Sequence, residues 1–135
     1  MRIVLVLTAG VLAACAHTVV TRDMPHAREG AALYAENCVQ CHGASGKGDG
    51  PWARVMTPPP ADLTRLDTED GFPRGHVLSV IDGYDRSDLA GKEMPEFGAL
   101  LDGDTVPVDV GDGVLTPTPR PLAALLAYLE SIQEG

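Results

Sequence analysis

The sequence predicts a small all-α domain with long loops and one short β-ribbon insertion. Near the C-terminus, Leu122, Leu125, Leu126, Leu129 and Ile132 recur at helical spacing and form one apolar stripe. Near the start of the domain, Gly30, Tyr34, Cys38 and Cys41 fall on one helical face. Fifteen glycines and eleven prolines make nearly a fifth of the 135-residue chain turn-forming, so the helices must be joined by long loops. A single loop-rich domain of this size buries a modest core. Such domains often need a staple in the form of a metal, a disulfide or a cofactor.

Residues 1–14 stand apart as a signal peptide. Arg2 supplies a positive charge, and the apolar run "IVLVLTAGVLAA" is too short to span a bilayer but has the length of a signal-peptide core. It leads into Leu12-Ala13-Ala14-Cys15, which resembles the lipobox of bacterial lipoproteins. That resemblance implies that Cys15 is acylated and becomes the new N-terminus. The alternative is an ordinary secretory signal cut near Ala16. Either way the domain is exported, and residues 15–26 read as a flexible tether.

The domain proper is expected over residues 27–135. Its first helix covers about residues 26–40 and carries Gly30, Tyr34 and both domain cysteines. "GASGKGDGP" and then "MTPPPADLT" form a long loop, since three consecutive prolines forbid a helix. A second helix is expected in "PRGHVLSVID", with Pro73 near its start and Gly83 just past its end. Residues 83–101 read as irregular, with a turn of helix after Pro95. In the 105–116 stretch Val106, Val108 and Val110 alternate, Gly111 to Gly113 makes a turn, and Val114 resumes. The last helix follows, with Thr118 as its cap and Pro119 in first position.

Charge narrows the function. Removing residues 1–14 takes away Arg2 and no acid, leaving nine Lys+Arg against nineteen Asp+Glu, a formal charge of −10. Nucleic-acid phosphates would be repelled. A bare electrostatic hold on anionic lipid is equally disfavoured, so membrane attachment must come from acyl chains.

The chemistry concentrates in "NCVQCHG", residues 37–43. A thioredoxin-like dithiol wants its Cys-x-x-Cys at the end of a strand, and none precedes Cys38. A structural zinc site wants two separated ligand pairs, and there is no second pair. A disulfide between Cys38 and Cys41 leaves His42 unexplained. Covalent haem uses all three residues. Two thiols on one helical turn can add to the two vinyl groups, and the following imidazole becomes the proximal axial ligand of the iron. Covalent attachment also suits an exported protein, which must keep its cofactor where free haem is scarce.

"LYAENCVQCHGASGKGDGP" followed by "PPPADLT" resembles the class I monohaem cytochrome c superfamily, in its bacterial exported or lipoprotein branch. The likeness covers about residues 28–135 and departs from the family at the valine-rich 105–116 insertion. It implies a class I cytochrome c fold around one covalent haem c. It also implies that Gly30 and Tyr34 let the last helix cross closely, with Tyr128 as the counterpart.

The opposite face of the iron has Met24, Met56, Met94, His17, His26 and His76 as candidate ligands. Met94, followed by Pro95 in an irregular segment before the last helix, resembles the family's distal loop and is the expected ligand. His76 is the runner-up. Around the haem, Pro51 matches the family proline whose carbonyl accepts the proximal histidine's N–H. Arg54, Arg65 and Trp52 are candidates to hold the propionates, and Lys47 lies in the same group of loops.

The function expected is that of a one-electron carrier passing electrons between redox partner proteins, with no catalytic residues and no small-molecule substrate. Two alternatives stand beside it: the haem subunit of a larger oxidoreductase, and a haem sensor or gas-binding protein with a labile sixth ligand. The expected location is the periplasmic side of a bacterial membrane, lipid-anchored or soluble.

Overall fold

Helix α1 spans Ala27–Asn37 and buries one face, on which Gly30 and Tyr34 lie. A computed structural model describes residues 23–85, 94–111 and 113–135. The expected signal peptide, Cys15, His17 and most of the tether lie outside the described residues. The last tether residues are held against the domain. Pro25 is buried, and the Asp23 carbonyl accepts a hydrogen bond from Arg120 Nη1 at 2.7 Å.

The partner of α1 is α4, Arg120–Ser131. Its leucine stripe is the heart of the core, with Leu122, Leu125, Leu126 and Leu129 each no more than 4% exposed. The two helices cross at Gly30. A Cβ there would overlap the Ala124 carbonyl and lie 2.7 Å from Tyr128 Cβ, so only glycine permits this approach. The Tyr34 and Tyr128 rings meet across the crossing with centroids 5.1 Å apart, tilted by 50°. Arg120 clips the same pair of helices by donating to both carboxylate oxygens of Glu29, at 2.9 and 3.0 Å.

The first helix is shorter than its sequence pattern suggests. It ends at Asn37, and a separate turn, α2, spans Val39–His42 after Cys38. Helix α3, Arg74–Asp82, lies where expected. It ends on Gly83 in the left-handed conformation (φ 99°) and buries Val77, Leu78 and Ile81.

The all-α expectation is corrected. Strand β1, Thr105–Asp109, pairs antiparallel with β2, Leu115–Pro119, in a register running from Thr105↔Pro119 to Asp109↔Leu115. Among the described residues the fold is therefore mixed, with four α-helices and a two-stranded sheet. The ribbon runs on to Pro119 and is part of the core, since Val106 and Val108 are each 2% exposed. Alternating valines can bury one face only if a second strand takes up the backbone groups of the first. That strand, Leu115–Pro119, starts inside the expected ribbon and runs on through Thr118 and Pro119, which were expected to begin the helix. Thr118 consequently sits buried opposite Val106 rather than capping α4. Pro107 faces Pro117 in the ladder, a pairing tolerated because each strand of a two-stranded ribbon is an edge. The tip closes on Asp109, whose Oδ1 accepts from the Gly111 and Gly113 amides at 2.8 and 3.2 Å. The ribbon is tied to α3 through Gly75 N–H to the Val110 carbonyl at 3.1 Å and Arg74 Nε to the Asp109 carbonyl at 2.8 Å. Arg74 also pairs with Glu130 on α4.

Candidate functional site

The Cys-x-x-Cys-His turn is α2, and backbone bonds lock it at both ends. Cys38 N–H donates to the Tyr34 carbonyl at 2.9 Å, and His42 N–H returns to the Cys38 carbonyl at 2.9 Å. The glycine loop that follows folds back over the C-terminal carbonyls of α2. Gly48, Gly50 and Trp52 amides reach the carbonyls of His42, Cys41 and Gln40 at 2.9, 3.1 and 3.0 Å. Gly50 is required for this return, since a Cβ would lie 2.5 to 2.6 Å from the carbonyl oxygens of Gln40, Cys41 and Val39. Tyr34 anchors the loop from below by donating its hydroxyl to the Gly43 carbonyl at 2.7 Å.

Beside this turn is a cavity of about 360 Å³. Cys38, Cys41 and His42 line one part of it. Leucines of α4, Val77, Val80 and Ile81 of α3, and the Pro58–Ala61 segment supply most of the rest. The two thiols are free and half-buried. Burial, and then the neighbouring Cys41, push the Cys38 thiol up to about 11. Burial holds the His42 imidazole below its ordinary value, against a smaller opposing effect of its bond to Ala61. His42 is thus favoured in the neutral form that a metal requires.

Residues from other parts of the chain converge here. Met94, Met56 and His76 all line the cavity. Among the described residues, Met94 but not Met56 also packs against the buried core. The Met94 segment is pinned to the end of α3 by Phe97 N–H to the Ile81 carbonyl at 2.9 Å and Gly98 N–H to the Asp82 carbonyl at 3.1 Å. His26 and Met24 are exposed and stand outside the lining.

The surroundings differ from expectation. His42 Nδ1 meets the carbonyl of Ala61, at 3.0 Å, and not that of Pro51. Pro51 is exposed and outside the cavity lining. The glycine loop spends its turn on capping α2, and the polyproline segment passes under the imidazole instead. Arg54, Arg65 and Trp52 are likewise exposed and line no part of the cavity. Arg65 leans toward Asp62 at 3.9 Å. Ala61, Leu63 and Leu66 are functional contacts that sequence reasoning missed. The only signal for Ala61 and Leu63 was "PPPADLT" itself, and Leu66 lies beyond it.

The donor set of the described residues suits haem. Among the described residues, no group of three or more His, Cys, Asp or Glu side chains is placed to hold a bare ion. The cavity instead offers apolar walls, two free thiols one turn apart, an imidazole fixed through Nδ1, and thioethers from elsewhere in the chain. A flat, largely apolar macrocycle with an iron at its centre fits these residues.

The family model described as cytochrome c oxidase, cbb3-type, subunit III matches residues 25–106. That span holds α1, α2, the proline loop, α3 and Met94. No curated protein and no solved structure gives a significant match.

Proposed function

Because the chain belongs to the cytochrome c oxidase, cbb3-type, subunit III family, and is thereby a class I monohaem cytochrome c with covalent haem c, we propose that it is an exported one-electron carrier held to a bacterial membrane by lipid at Cys15. When bound, the haem supplies a one-electron couple at its iron. The chain's own residues do the rest. Cys38 and Cys41 would hold the macrocycle through thioether bonds. His42 would bind the iron, oriented by the Ala61 carbonyl. Met94 would supply a second, thioether ligand. An imidazole paired with a soft thioether would raise the potential relative to two histidines, which suits a carrier.

One observation carries this proposal: a single apolar cavity gathers Cys38, Cys41, His42 and Met94 from segments more than fifty residues apart. With haem bound, the apolar walls would limit water at the iron and the Met94 thioether would occupy the position a substrate would need. No helix among the described residues is long and apolar enough to cross a membrane. The attachment proposed comes from acyl chains on Cys15, with the domain facing the periplasm.

A second reading, the haem subunit of a larger oxidoreductase, draws on the family description, which is that of an oxidase subunit. A partner that copurifies at fixed stoichiometry would favour it. The test of the haem itself is a denaturing gel stained for haem peroxidase activity. Wild-type protein should stain, and joint replacement of Cys38 and Cys41 by Ala should abolish the stain. A stained double variant would sink the proposal.

A further inference from the structure

The loop of residues 61–66 is held from two directions. On one side, Leu63 N–H donates to the Gly46 carbonyl at 2.6 Å. On the other is the tail beyond α4. Gln133 Nε2 donates to the Leu63 carbonyl at 2.8 Å, and Gln133 Oε1 accepts from Leu66 N–H at 2.7 Å. The same Nε2 donates to the Leu129 carbonyl at 2.6 Å, which fastens the loop to the end of α4. Glu134 N–H adds a bond to the Thr64 carbonyl at 2.8 Å. This loop carries the Ala61 carbonyl that meets His42 Nδ1 at 3.0 Å.

We propose that Gln133 is a positioning residue for the proximal histidine: its paired bonds to Leu63 and Leu66 fix the Ala61 carbonyl against His42 Nδ1, an inference that rests on His42 as the haem ligand. A carboxamide has a donor end and an acceptor end, and both are used on the same loop. No carboxylate or apolar side chain can make this pair of contacts. The bond from Nδ1 to a carbonyl raises the basicity of the imidazole as a ligand. A more basic imidazole favours the oxidised iron. Releasing the loop should weaken that bond and raise the reduction potential. Mere loosening of the packing acts the other way. It admits water, which solvates the more charged oxidised site and lowers the potential. The sign of the shift therefore separates positioning from simple support.

The test uses the full-length haem protein carrying Gln133→Met, which keeps side-chain length and removes both bonds to the loop together with the one to the Leu129 carbonyl. The expected result is a higher midpoint potential together with faster exchange of the His42 Nδ1 proton than in wild type. An unchanged or lowered potential overturns the proposal. Glu134→Gln, which breaks only the exposed pair with Lys47, should match wild type in both readouts. An equal shift in that variant overturns the proposal in favour of tail charge. If Gln133→Met does not fold, exchange in wild-type protein decides. The Leu66 amide and the His42 Nδ1 proton should open together across denaturant, whereas a Leu66 amide that frays freely while His42 stays protected overturns the clamp. Absence of covalent haem in wild type would sink the reading of His42 instead, and Leu66 protection would still report on the clamp.

Discussion

Met94 and Met56 bring the same thioether to the same cavity, from opposite flanks of α3 in the chain. Their supports differ. Met94 packs on the core and is followed by a segment hydrogen-bonded to α3, while Met56 lies between a 3₁₀ turn, Ala53–Val55, and the prolines. Iron–thioether ligation gives oxidised cytochromes c a weak charge-transfer band at the red end of the visible spectrum, and histidine does not. Met94→Ala should lose that band, bind carbon monoxide and drop in potential, with haem still attached. Met56→Ala should keep the band. Survival of the band in Met94→Ala with its loss in Met56→Ala would reverse the assignment. Legibility in the sequence follows the same line at this scale. The attachment proposed at Cys38 and Cys41, with His42 beside it, would need only residues within one turn, so chemistry of that kind is local enough for a motif to carry. The acceptor of the His42 N–H is a backbone carbonyl, which any residue supplies, and no side-chain pattern distinguishes Ala61 from Pro51. Arginine side chains give no sign of which way they point, and Arg54 and Arg65 point away from the cavity lining.

At the scale of elements, the α1–α4 crossing is the sharpest test. Gly30→Ala gains about 1 kcal/mol of helix propensity. It also drives a Cβ into the Ala124 carbonyl, and a backbone atom inside a helix cannot swing aside. Overpacking of this kind costs about 1–3 kcal/mol or more. The expected outcome is net destabilisation in a denaturant titration of the haem protein, with the haem motif intact. A variant as stable as wild type would show that the helices can part at little cost. Gly30, Tyr34 and the leucine stripe were readable because helical period and close packing leave regular marks. The ribbon was readable as an alternation of valines, but not as core. Its burial depends on β2, whose exposed Leu115, Thr116 and Pro117 carry no apolar pattern. The same hidden strand removed Thr118 from the cap of α4. The break at Cys38 also left no mark, since every residue from 27 to 42 is compatible with one continuous helix.

For the whole molecule, location and charge decide how it meets its partners. Cys15→Ser should move the protein from the membrane fraction to the soluble periplasm with haem retained, and wild-type protein that is already soluble with an unmodified N-terminus would refute the anchor. The full chain carries a formal charge of −9, which would become −10 if residues 1–14 are removed as proposed. Lys47, Arg54 and Arg65 lie in the loops around the site and could have reversed the sign locally. Two of them are already paired: Lys47 lies 2.8 Å from Glu134, and Arg65 lies 3.9 Å from Asp62. These exposed pairs contribute little to stability, but they cancel charge where a partner would approach. With those two cations matched by carboxylates, they no longer oppose the net negative charge of the whole chain there. Complementary charge mainly speeds encounter, and salt weakens it as the screening length shortens to about 8 Å at physiological ionic strength. Electron transfer to a basic partner should slow as salt rises from low to physiological strength, with stopped-flow second-order rates as the measurement. Glu134→Gln frees Lys47 and should shallow that dependence, because one positive charge is restored near the approach path. Rates indifferent to salt in both proteins would point to docking through the exposed Trp52 and Val55, which are 59% and 84% accessible, rather than through charge.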